Sequence, residues 1–557
     1  MAAQETTKGK TAANAIFFVV LAIAIAGVVN LLASRKFTRF DLTSEKVYTL
    51  SPASKELVKN LPDRLNVKLF MSEDLKPPFK SHATFVRDLL ADYAAYSGGK
   101  MVVEVIRIGE GDTKKEEEAA RYKVRKSSRG VLSANKVEIG ASYLGVGFDY
   151  HGQIESIPII ETDQGLEFEI SGIIKQLTVK KKKIAFSSGQ GELSLGHGGA
   201  SLLDQQLKKA GYDTTSLELK AKIPDDVDAL VVAGPKTPMS ERAKYVLDQF
   251  LMKGRAVAIF LDGQVMEMPR GMMMPGMDMP QIARSNDAGM DDLLEHYGFK
   301  VRGDIVLDSR QNYIGPVTVG QQVLGINHPV FLVAGPLEQN HPITAGIEAI
   351  ILPYASSMEL VGALKDGKGP IQVWKLAESS KYSWRPAGPF VFDPRGARMA
   401  EGAERGPFPL AYAAQGKFTS FFKGKQIVKE DGTKVDANVS QPDVEPMITE
   451  ATQPARLVVV GDSDFVSDQY TGLAARGLQA YIADLAFAMN IIDWLAQDEA
   501  LAQVRNKGMQ NRPLKAVGEG MVTLIKAVNI FGMPLLLVVI GLVRWRVRRA
   551  ARRIAHL

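Results

Sequence analysis

Two apolar runs, one near each end, constrain what this chain can fold into more than any other feature. Residues 15–33 contain no charged side chain, and residues 527–543 form a second uncharged run that includes Pro534. A helix of about 20 residues crosses a hydrocarbon layer of ~30 Å, and membrane helices tolerate proline. The sequence therefore predicts two transmembrane helices, with a water-facing region of about 490 residues between them.

The first run has an alternative interpretation as a cleaved signal peptide. The apolar region of a signal peptide usually spans only ~7–15 residues before a cleavage site of small residues. Here a run of nineteen residues is followed directly by Arg35, Lys36 and Arg39. We therefore expect a retained anchor.

The basic C-terminal tail predicts the orientation of the chain. Six arginines and no acidic residue lie within residues 544–557, and without them the formal charge of +6 would be zero. Such a cluster beside an apolar run is typical of a cytoplasmic flank and not of a nucleic-acid-binding surface. The charges around the first run, with Lys8 and Lys10 before it, favour the opposite orientation only weakly, since long domains cross largely regardless of charge. We expect both termini in the cytoplasm and the central region in the periplasm, with the runs in a bacterial inner membrane.

Composition places most of the chain among folded globular proteins and narrows its chemistry. The chain is 46% hydrophobic and 23% charged, which is close to the average. It contains no cysteine. This excludes disulfides, acylation at a lipobox cysteine, thiolate metal sites, c-type haem and a cysteine nucleophile.

Residues 41–180 follow the pattern of an α/β domain. Alternating apolar residues indicate strands, and apolar residues at helical spacing indicate helices. The predicted strands are residues 65–71, 101–108, 142–150 and 154–160, and the predicted helices are residues 79–96, 114–126 and 166–177. The β-α-β-α-β-β-α order is thioredoxin-like, but redox catalysis is excluded because the chain has no cysteine.

Residues 184–500 predict a second α/β domain, doubly wound around a parallel sheet. Short, continuous apolar runs are expected for strands that are buried on both faces. The predicted strands are residues 184–188, 229–233, 256–261 and 456–460, and the predicted helices are residues 202–209, 241–251 and 479–495. The part before residue 456 is irregular, residues 266–282 predict an exposed loop, and residues 501–526 predict a linker.

A glycine-rich turn, SGQGELSLGHGG at residues 188–199, follows the first of these strands and precedes a helix. Main-chain amides and a helix N-terminus in such a place can bind an anion, although the sequence is neither GxGxxG nor a Walker A loop. A purely structural turn is the alternative to a site for a small ligand or a partner. The candidate binding residues are Gly189, Gly191, Glu192 and His197.

A second candidate site, VVVGDSDF at residues 458–465, ends a predicted strand and is similar to the nucleophile block of GDS-type lipases. A serine hydrolase needs a base, usually histidine. The only histidine after Ser463 is His556, which lies beyond the second apolar run. We therefore expect Asp462, Ser463 and Asp464 to bind loop amides, a partner or weakly a cation, and not to catalyse hydrolysis.

Methionines are concentrated in the predicted loop at residues 266–282. Thioether sulfur suits Cu(I), but methionine also suits contacts with a partner or lipid, and a disordered loop is the simplest interpretation. The weak copper candidates are Met266, Met268, Met272, Met273, Met274, Met277 and Met279. The seven histidines show no zinc-ligand spacing, and no cofactor is predicted.

Five blocks, in order along the chain, give a resemblance to a known family. They are LTSEKVYTLSPASKELVKNLPDRLNVKLF (42–70), GLEFEISGIIKQL (165–177), SSGQGELSL (187–195), RLVVVGDSDFVSD (456–468) and NIIDWLAQDEALAQVRNKGMQNRPL (490–514). In these blocks the chain resembles the GldG-like auxiliary subunits of gliding-motility-type ABC transport systems. The usual Gly-His-Gly-Glu pattern of that family differs here, because Gln190 replaces the histidine.

The resemblance implies an inner-membrane protein whose periplasmic part pairs an N-terminal domain with a class I glutamine amidotransferase-like domain. The nucleophilic cysteine of that fold cannot exist here, which agrees with a non-catalytic version of it. The sequence has no Walker A motif, so the ATPase must be a separate chain. We predict a non-catalytic accessory subunit that lies beside an ABC permease and binds a partner, substrate or envelope component. A free-standing periplasmic receptor or envelope scaffold is the alternative, and a serine hydrolase or copper-handling protein is less favoured.

Overall fold

The computed structural model describes most of the region between the two apolar runs, and the C-terminal helix. The described residues are 21, 25, 49–75, 77, 79–133, 136–163, 165–267, 281–319, 322–367, 369–386, 391–392, 403–436, 446–475, 480–497 and 519–554. The chain divides into two compact units, Met1–Met509 and Gln510–Leu557. The first predicted transmembrane helix lies outside the described residues, apart from Leu21 and Ile25.

The N-terminal part of the first unit is built on a five-stranded sheet. Its elements, in chain order, are α1 (Pro52–Lys59), β1 (Leu65–Ser72), α2 (Phe79–Tyr96), β2 (Met101–Ile108), α3 (Thr113–Arg121), β3 (Lys126–Ser133), β4 (Lys136–Tyr150), β5 (Gln153–Ile157) and α4 (Leu166–Thr178). The strand order is β2-β1-β4-β3, and β5 also pairs with β4. β1 is parallel to β2, whereas β4 is antiparallel to β1, β3 and β5.

Most elements predicted for this part are confirmed, with three corrections. The charged helix α3 ends at Arg121 and not at residue 126, because the chain turns at Lys123, whose φ is +59°. β4 begins at Lys136 instead of residue 142 and pairs with β3, which is not predicted because KSSRGVLS contains few apolar residues. α1 is also not predicted, although Ser51 caps it through the amide of Ser54.

The remainder of the first unit contains a longer series of elements. In chain order they are β6 (Lys183–Ser188), α5 (Ser201–Lys209), β7 (Asp213–Glu218), β8 (Val227–Ala233), α6 (Glu241–Met252), β9 (Ala256–Phe260), β10 (Gln264–Glu267), β11 (Gln281–Ser285), α7 (Asp291–His296), β12 (Phe299–Val301), β13 (Leu307–Asp308), β14 (Asn312–Val319), β15 (Gln322–Ala334), β16 (Ile350–Pro353), β17 (Met358–Leu360), α8 (Gly362–Lys365), β18 (Gln372–Glu378), β19 (Ser383–Arg385), β20 (Val391–Phe392), β21 (Glu404–Arg405), β22 (Pro409–Gly416), β23 (Ile427–Val428), β24 (Lys434–Val435), β25 (Ala455–Val460), a 3₁₀ turn (Asp464–Val466), α9 (Asp468–Ala475) and α10 (Ala480–Leu495).

A seven-stranded sheet forms the centre of this part, in the order β18-β22-β25-β9-β8-β6-β7. The five strands from β25 to β7 are parallel, and β22 and β18 add an antiparallel edge. Successive residues of β8 face opposite sides of the sheet, as the period of a strand requires. Val231 packs in one core with α5 and α10, and Leu230 packs in another core with α6. Helices therefore cover both faces, and the predicted doubly wound parallel sheet is confirmed.

The long connection between β9 and β25 differs from the prediction of an irregular region. It contains four smaller sheets, β10-β11-β20, β12-β17, β13-β19-β21 and β14-β15-β16, as well as the β23-β24 hairpin and the two antiparallel edge strands. Several of these strands have only two to four residues, too few for a periodic pattern to be recognised. Within the predicted loop, Met266 belongs to β10, and residues 268–280 lie outside the described residues.

The second unit contains the helix α11 (Glu519–Ile554), which includes Pro534. Its segment Lys526–Arg546 has 21 residues and a mean hydropathy of 2.1, and none of it is buried. Within the described part of the chain, it is the one helix that is long and apolar enough to cross a membrane. Most of the predicted linker at residues 501–526 lies outside the described residues.

Candidate functional site

The two candidate loops of the sequence lie at the same edge of the seven-stranded sheet. The glycine-rich turn follows β6, and the Gly-Asp-Ser segment follows β25. Because these strands are parallel, their carboxyl ends meet at one edge, together with those of β8 and β9. The strand order reverses between β6 and β8, which is the position where doubly wound sheets commonly bind ligands.

Glu192 folds the glycine-rich turn onto itself. Its two carboxylate oxygens accept hydrogen bonds from the Ser187 hydroxyl at 2.9 Å and from the Gln190 amide at 2.7 Å. Gly189 and Gly191 have φ values of +107° and +81°, in the region that glycine adopts without strain. These three residues therefore determine the shape of the turn.

The turn is also fixed to the loop after β8. The carbonyl oxygen of Gln190 accepts hydrogen bonds from the amides of Lys236 at 2.8 Å and Thr237 at 3.0 Å. A Cβ atom at Gly191 would lie 3.3 Å from the Cβ of Lys236, so the two loops are in close contact. The turn is thus a packed part of the fold.

The N-terminus of α5, where an anion site is one of the two alternatives left open by the sequence, is occupied by a carboxylate of the chain itself. Asp468 Oδ1 accepts a hydrogen bond from the Leu202 amide at 3.0 Å. Its Oδ2 accepts bonds from the Gly198 amide at 3.1 Å and the Ser201 hydroxyl at 2.7 Å. We call this arrangement the Asp468 cap. Burial alone would raise the pKa of Asp468, but these hydrogen bonds hold it below its usual value.

Asp468 helps to shape this edge of the sheet, and sequence reasoning misses it. Ala200 precedes α5, and its methyl side chain makes no capping hydrogen bond. The sequence does contain one signal of such a cap, because α5 begins without a capping residue of its own. This signal does not identify the distant carboxylate that supplies the cap. His197, the remaining candidate of the turn, is exposed.

At the end of β25, Ser463 is bound by a second carboxylate that the sequence analysis does not identify. Asp262, which follows β9, accepts hydrogen bonds from both the amide and the hydroxyl of Ser463, each at 2.6 Å. The hydroxyl hydrogen bond of Ser463 therefore goes to a carboxylate and not to an imidazole. Gly234 makes room for this contact, because a Cβ atom there would lie 2.4 Å from Ser463 Oγ.

Asp262, Asp462 and Asp464 form what we call the acidic cluster. Burial raises the pKa of Asp262, although hydrogen bonds from Ser463 oppose the increase. Burial and the charges of Asp464 and Asp262 raise the pKa of Asp462 well above its usual value. Burial and the charge of Asp262 raise the pKa of Asp464 to about 7, against an opposing effect of Lys236. Part of the cluster therefore carries protons near neutral pH.

One buried carboxylate oxygen of the acidic cluster accepts no hydrogen bond from the residues that the structure describes. Asp462 Oδ1 accepts a hydrogen bond from the Asp464 amide at 2.7 Å, whereas Oδ2 has no hydrogen-bond partner in the described part of the chain. Among the described residues, no group of three or more histidine, aspartate or glutamate side chains is arranged to hold a metal ion. Of the copper candidates, Met266 packs beside a small apolar core, and the other six lie outside the described residues.

Comparisons with known proteins identify relatives of the chain. A family model described as "ABC-type uncharacterized transport system" matches residues 181–492, and a model for a domain of unknown function matches residues 44–147. An uncharacterized protein of Borreliella burgdorferi is 22% identical over 539 residues, covering 92% of this chain and 94% of its own length.

Two solved structures show only weak similarity. The N-terminal domain of mmIFT52 is 15% identical, with 56% of this chain and 97% of that chain covered and a TM-score of 0.32. The exo-beta-1,4-mannosidase Op5Man5 from Opitutaceae bacterium strain TAV5 is 9% identical, with 74% and 50% covered and a TM-score of 0.22. At these TM-scores, neither similarity carries an argument about fold or function.

Proposed function

Since the chain belongs to the family of ABC-type uncharacterized transport systems, whose model matches more than half of it, we propose that it is a non-catalytic accessory subunit of an ABC transport system. The observation that carries this proposal is the family match over the seven-stranded sheet, which is followed in the chain by an exposed apolar helix. The ATPase and the permease are separate chains in this proposal, since the sequence has no Walker A motif.

In this proposal, α11 anchors the subunit and contacts the permease. At ~1.5 Å per residue, Lys526–Arg546 is about as long as the hydrocarbon layer is thick. Its large apolar side chains are exposed, for example Phe531 at 64% and Leu537 at 66%, which would be unfavourable in water. Residues 15–33 provide the other membrane helix, both termini are cytoplasmic, and the part between them lies in the periplasm.

At the carboxyl edge of the sheet, carboxylates of the chain itself occupy one candidate anion site and engage the candidate nucleophile, which favours a non-catalytic role. The Asp468 cap fills the helix N-terminus that could otherwise bind an anion. Asp262 accepts the hydrogen bond of the only serine in the Gly-Asp-Ser segment. The exposed turn around Gly189, Gly191 and Glu192 then acts as a surface for a partner, substrate or envelope component, and the buried Asp462 supports it from below together with the partly buried Asp464.

We further propose the finer assignments of fold and family. The parallel β1-β2 pair, joined to the antiparallel strands β4 and β5, supports a thioredoxin-like domain at residues 41–180. The doubly wound sheet supports a non-catalytic, class I glutamine amidotransferase-like domain at residues 184–500. The GldG-like blocks support a system of the gliding-motility type, whether or not the organism glides.

Affinity purification tests the proposal. The tagged full-length protein is extracted in mild detergent, and the proteins that co-purify with it are identified. A matched control replaces residues 527–543 with an unrelated apolar helix of equal length, so that anchoring is kept and the specific sequence of α11 is lost. We expect an ABC ATPase and permease with the native chain and a strong loss of both with the control. Recovery of the native chain alone would contradict the proposal.

A further inference from the structure

Two short loops meet at one end of the antiparallel pair formed by β13 and β19. Asp308, the last residue of β13, is opposite Ser383, the first residue of β19. Residues 309–311 continue from β13 and residues 379–382 lead into β19, so the two loops lie side by side. Three of their exposed side chains, which together we call the Tyr382 surface, are those of Arg310, Lys381 and Tyr382.

The aromatic ring of this surface is in contact with two cations. The guanidinium carbon of Arg310 lies 4.2 Å from the centroid of the Tyr382 ring, and the Nζ of Lys381 lies 5.2 Å from the same centroid. Both distances are within the ~6 Å over which a ring attracts a cation. Tyr382 is nevertheless 40% exposed, so a partner can still contact it.

Neither cation of the Tyr382 surface is paired with a carboxylate in the part of the chain that the structure describes. By contrast, the buried Arg385 in β19 pairs with both Asp304 and Glu404. The carboxylate of Asp308 is near the surface, but it is completely buried and its hydrogen bonds go to the two loops themselves. Two exposed positive charges are therefore available to an anionic partner.

The same buried carboxylate holds both loops in place. Asp308 Oδ1 accepts hydrogen bonds from the amides of Arg310 at 2.9 Å and Gln311 at 2.8 Å. Its Oδ2 accepts one from the Ser380 hydroxyl, and Ser380 Oγ in turn accepts one from the Tyr382 amide at 3.0 Å. The backbone at Arg310 and Tyr382 is thus fixed before a partner binds, which lowers the entropic cost of association.

We propose that the Tyr382 surface binds an acidic peptide segment of a partner protein, with a carboxylate between Arg310 and Lys381 and an apolar side chain against the exposed part of the Tyr382 ring. Tyrosine and arginine are among the residues that most often dominate the energy of protein interfaces. A membrane is the less favoured partner, because clusters of about four to eight Lys or Arg residues are typical of anionic-lipid binding and this surface has two. The inference does not rest on the proposed transport role.

Selection from a phage-displayed library of random dodecapeptides tests the proposal, with the tagged full-length protein in mild detergent as the bait. A second bait carries Arg310→Glu and Lys381→Glu. The matched control carries Lys365→Glu and Lys434→Glu, which make the same change in charge at exposed lysines of α8 and β24. We expect peptides rich in aspartate and glutamate from the native chain and the control, and their loss from the second bait. Peptides that bind the arginines of the C-terminal tail are recovered with all three baits and are therefore recognised.

Fluorescence anisotropy then measures the affinity of the most enriched peptide, synthesised with a fluorophore. We expect the double variant at Arg310 and Lys381 to raise Kd at least tenfold, and Tyr382→Ala to raise it at least fivefold. Tyr382→Phe, which keeps the ring, and the control at Lys365 and Lys434 should change Kd less than twofold. All these side chains are exposed, so the variants should fold like the native chain.

The absence of acidic peptides from the native bait would overturn the proposal, and so would their equal recovery with the double variant. Their loss from the control as well would overturn it too, because overall charge and not the Tyr382 surface would then be responsible. Tighter binding of glycerol phosphate, which represents an anionic lipid headgroup, than of any selected peptide would assign the surface to lipid instead. Since the readout is peptide affinity and not the recovery of transporter subunits, failure here and failure of the transport proposal are distinguishable.

Discussion

Asp464 and Asp468 lie close together in the chain, yet their surroundings affect them in opposite ways. Asp468 accepts hydrogen bonds from two amides and a hydroxyl at the start of α5, and its pKa is lowered. Burial, together with the charge of Asp262, raises the pKa of Asp464 to about 7. The comparison teaches that the carboxyl edge of the sheet contains one carboxylate kept charged by hydrogen-bond donors and a cluster kept partly protonated by burial and like charges.

The largest expected effect comes from disturbing the acidic cluster through Gly234. Gly234→Ala should lower the free energy of unfolding by roughly 2–4 kcal/mol, because φ is +66° and the new Cβ would clash with Ser463. Thermal unfolding of the full-length protein in mild detergent measures the change. Gly424→Ala is the matched control, since φ is +79° there but no atom lies within 4 Å of the new Cβ. Equal losses in the two variants would show that the Ser463 contact is not tight.

A smaller loss of stability is expected when the Asp468 cap is removed. Asp468→Ala deletes the Asp468 cap and should cost about 1–2 kcal/mol, the upper part of the range for helix N-caps. Asp213→Ala, which removes an exposed carboxylate on the edge strand β7, provides the control and should cost less than about 0.5 kcal/mol. Unfolding in denaturant compares the two variants. A loss no larger than that of the control would mean that the cap does not hold α5.

The pH dependence of stability should separate the two carboxylates further. The pKa of Asp464 is raised in the folded state, so its protonated form stabilises the fold. Its contribution to the free energy of unfolding is complete below the unfolded pKa of about 3.8 and is lost as the pH rises to about 7. Within that window each pH unit changes its contribution by at most ~1.4 kcal/mol. The stability advantage of the native chain over Asp464→Asn should therefore shrink from pH 4 to pH 7.

Unfolding in denaturant, measured at a series of pH values for both asparagine variants, should give the reverse result for Asp468. Because its pKa is lowered in the folded state, its contribution is present above the unfolded value and is lost as the pH falls through the folded value. The advantage of the native chain over Asp468→Asn should thus decrease only on strong acidification. If stability changed with pH in the same way for the two asparagine variants, the predicted difference between Asp464 and Asp468 would be wrong.

Local patterns are sufficient to predict the central part of the fold. β8 and β9 are continuous apolar runs, and α6 begins after Ser240, whose side chain caps it through the Ala243 amide. Such signals are contained in a few consecutive residues. By contrast, β13 and β23 contain two residues each, and their pairing with β19 and β24 depends on the surrounding tertiary structure.

The candidate site is predicted only in part, for a related reason. Both glycine-rich and Gly-Asp-Ser segments are correctly placed after buried strands, but their partners come from elsewhere in the chain. Asp262 is about 200 residues before Ser463, and Asp468 is about 270 residues after Gly198. Contacts over such separations leave no periodic signal in a single sequence.

The central claim, that α11 lies against a permease, is tested most directly by cross-linking in living cells. A photoreactive amino acid replaces Leu536, which is 55% exposed on α11, and Lys434 of the β23-β24 hairpin serves as the control position. We predict a cross-link from position 536 to a membrane protein that co-purifies with an ABC ATPase, and no such product from position 434. Cross-links from position 536 only to lipid or to a second copy of this chain would contradict the account.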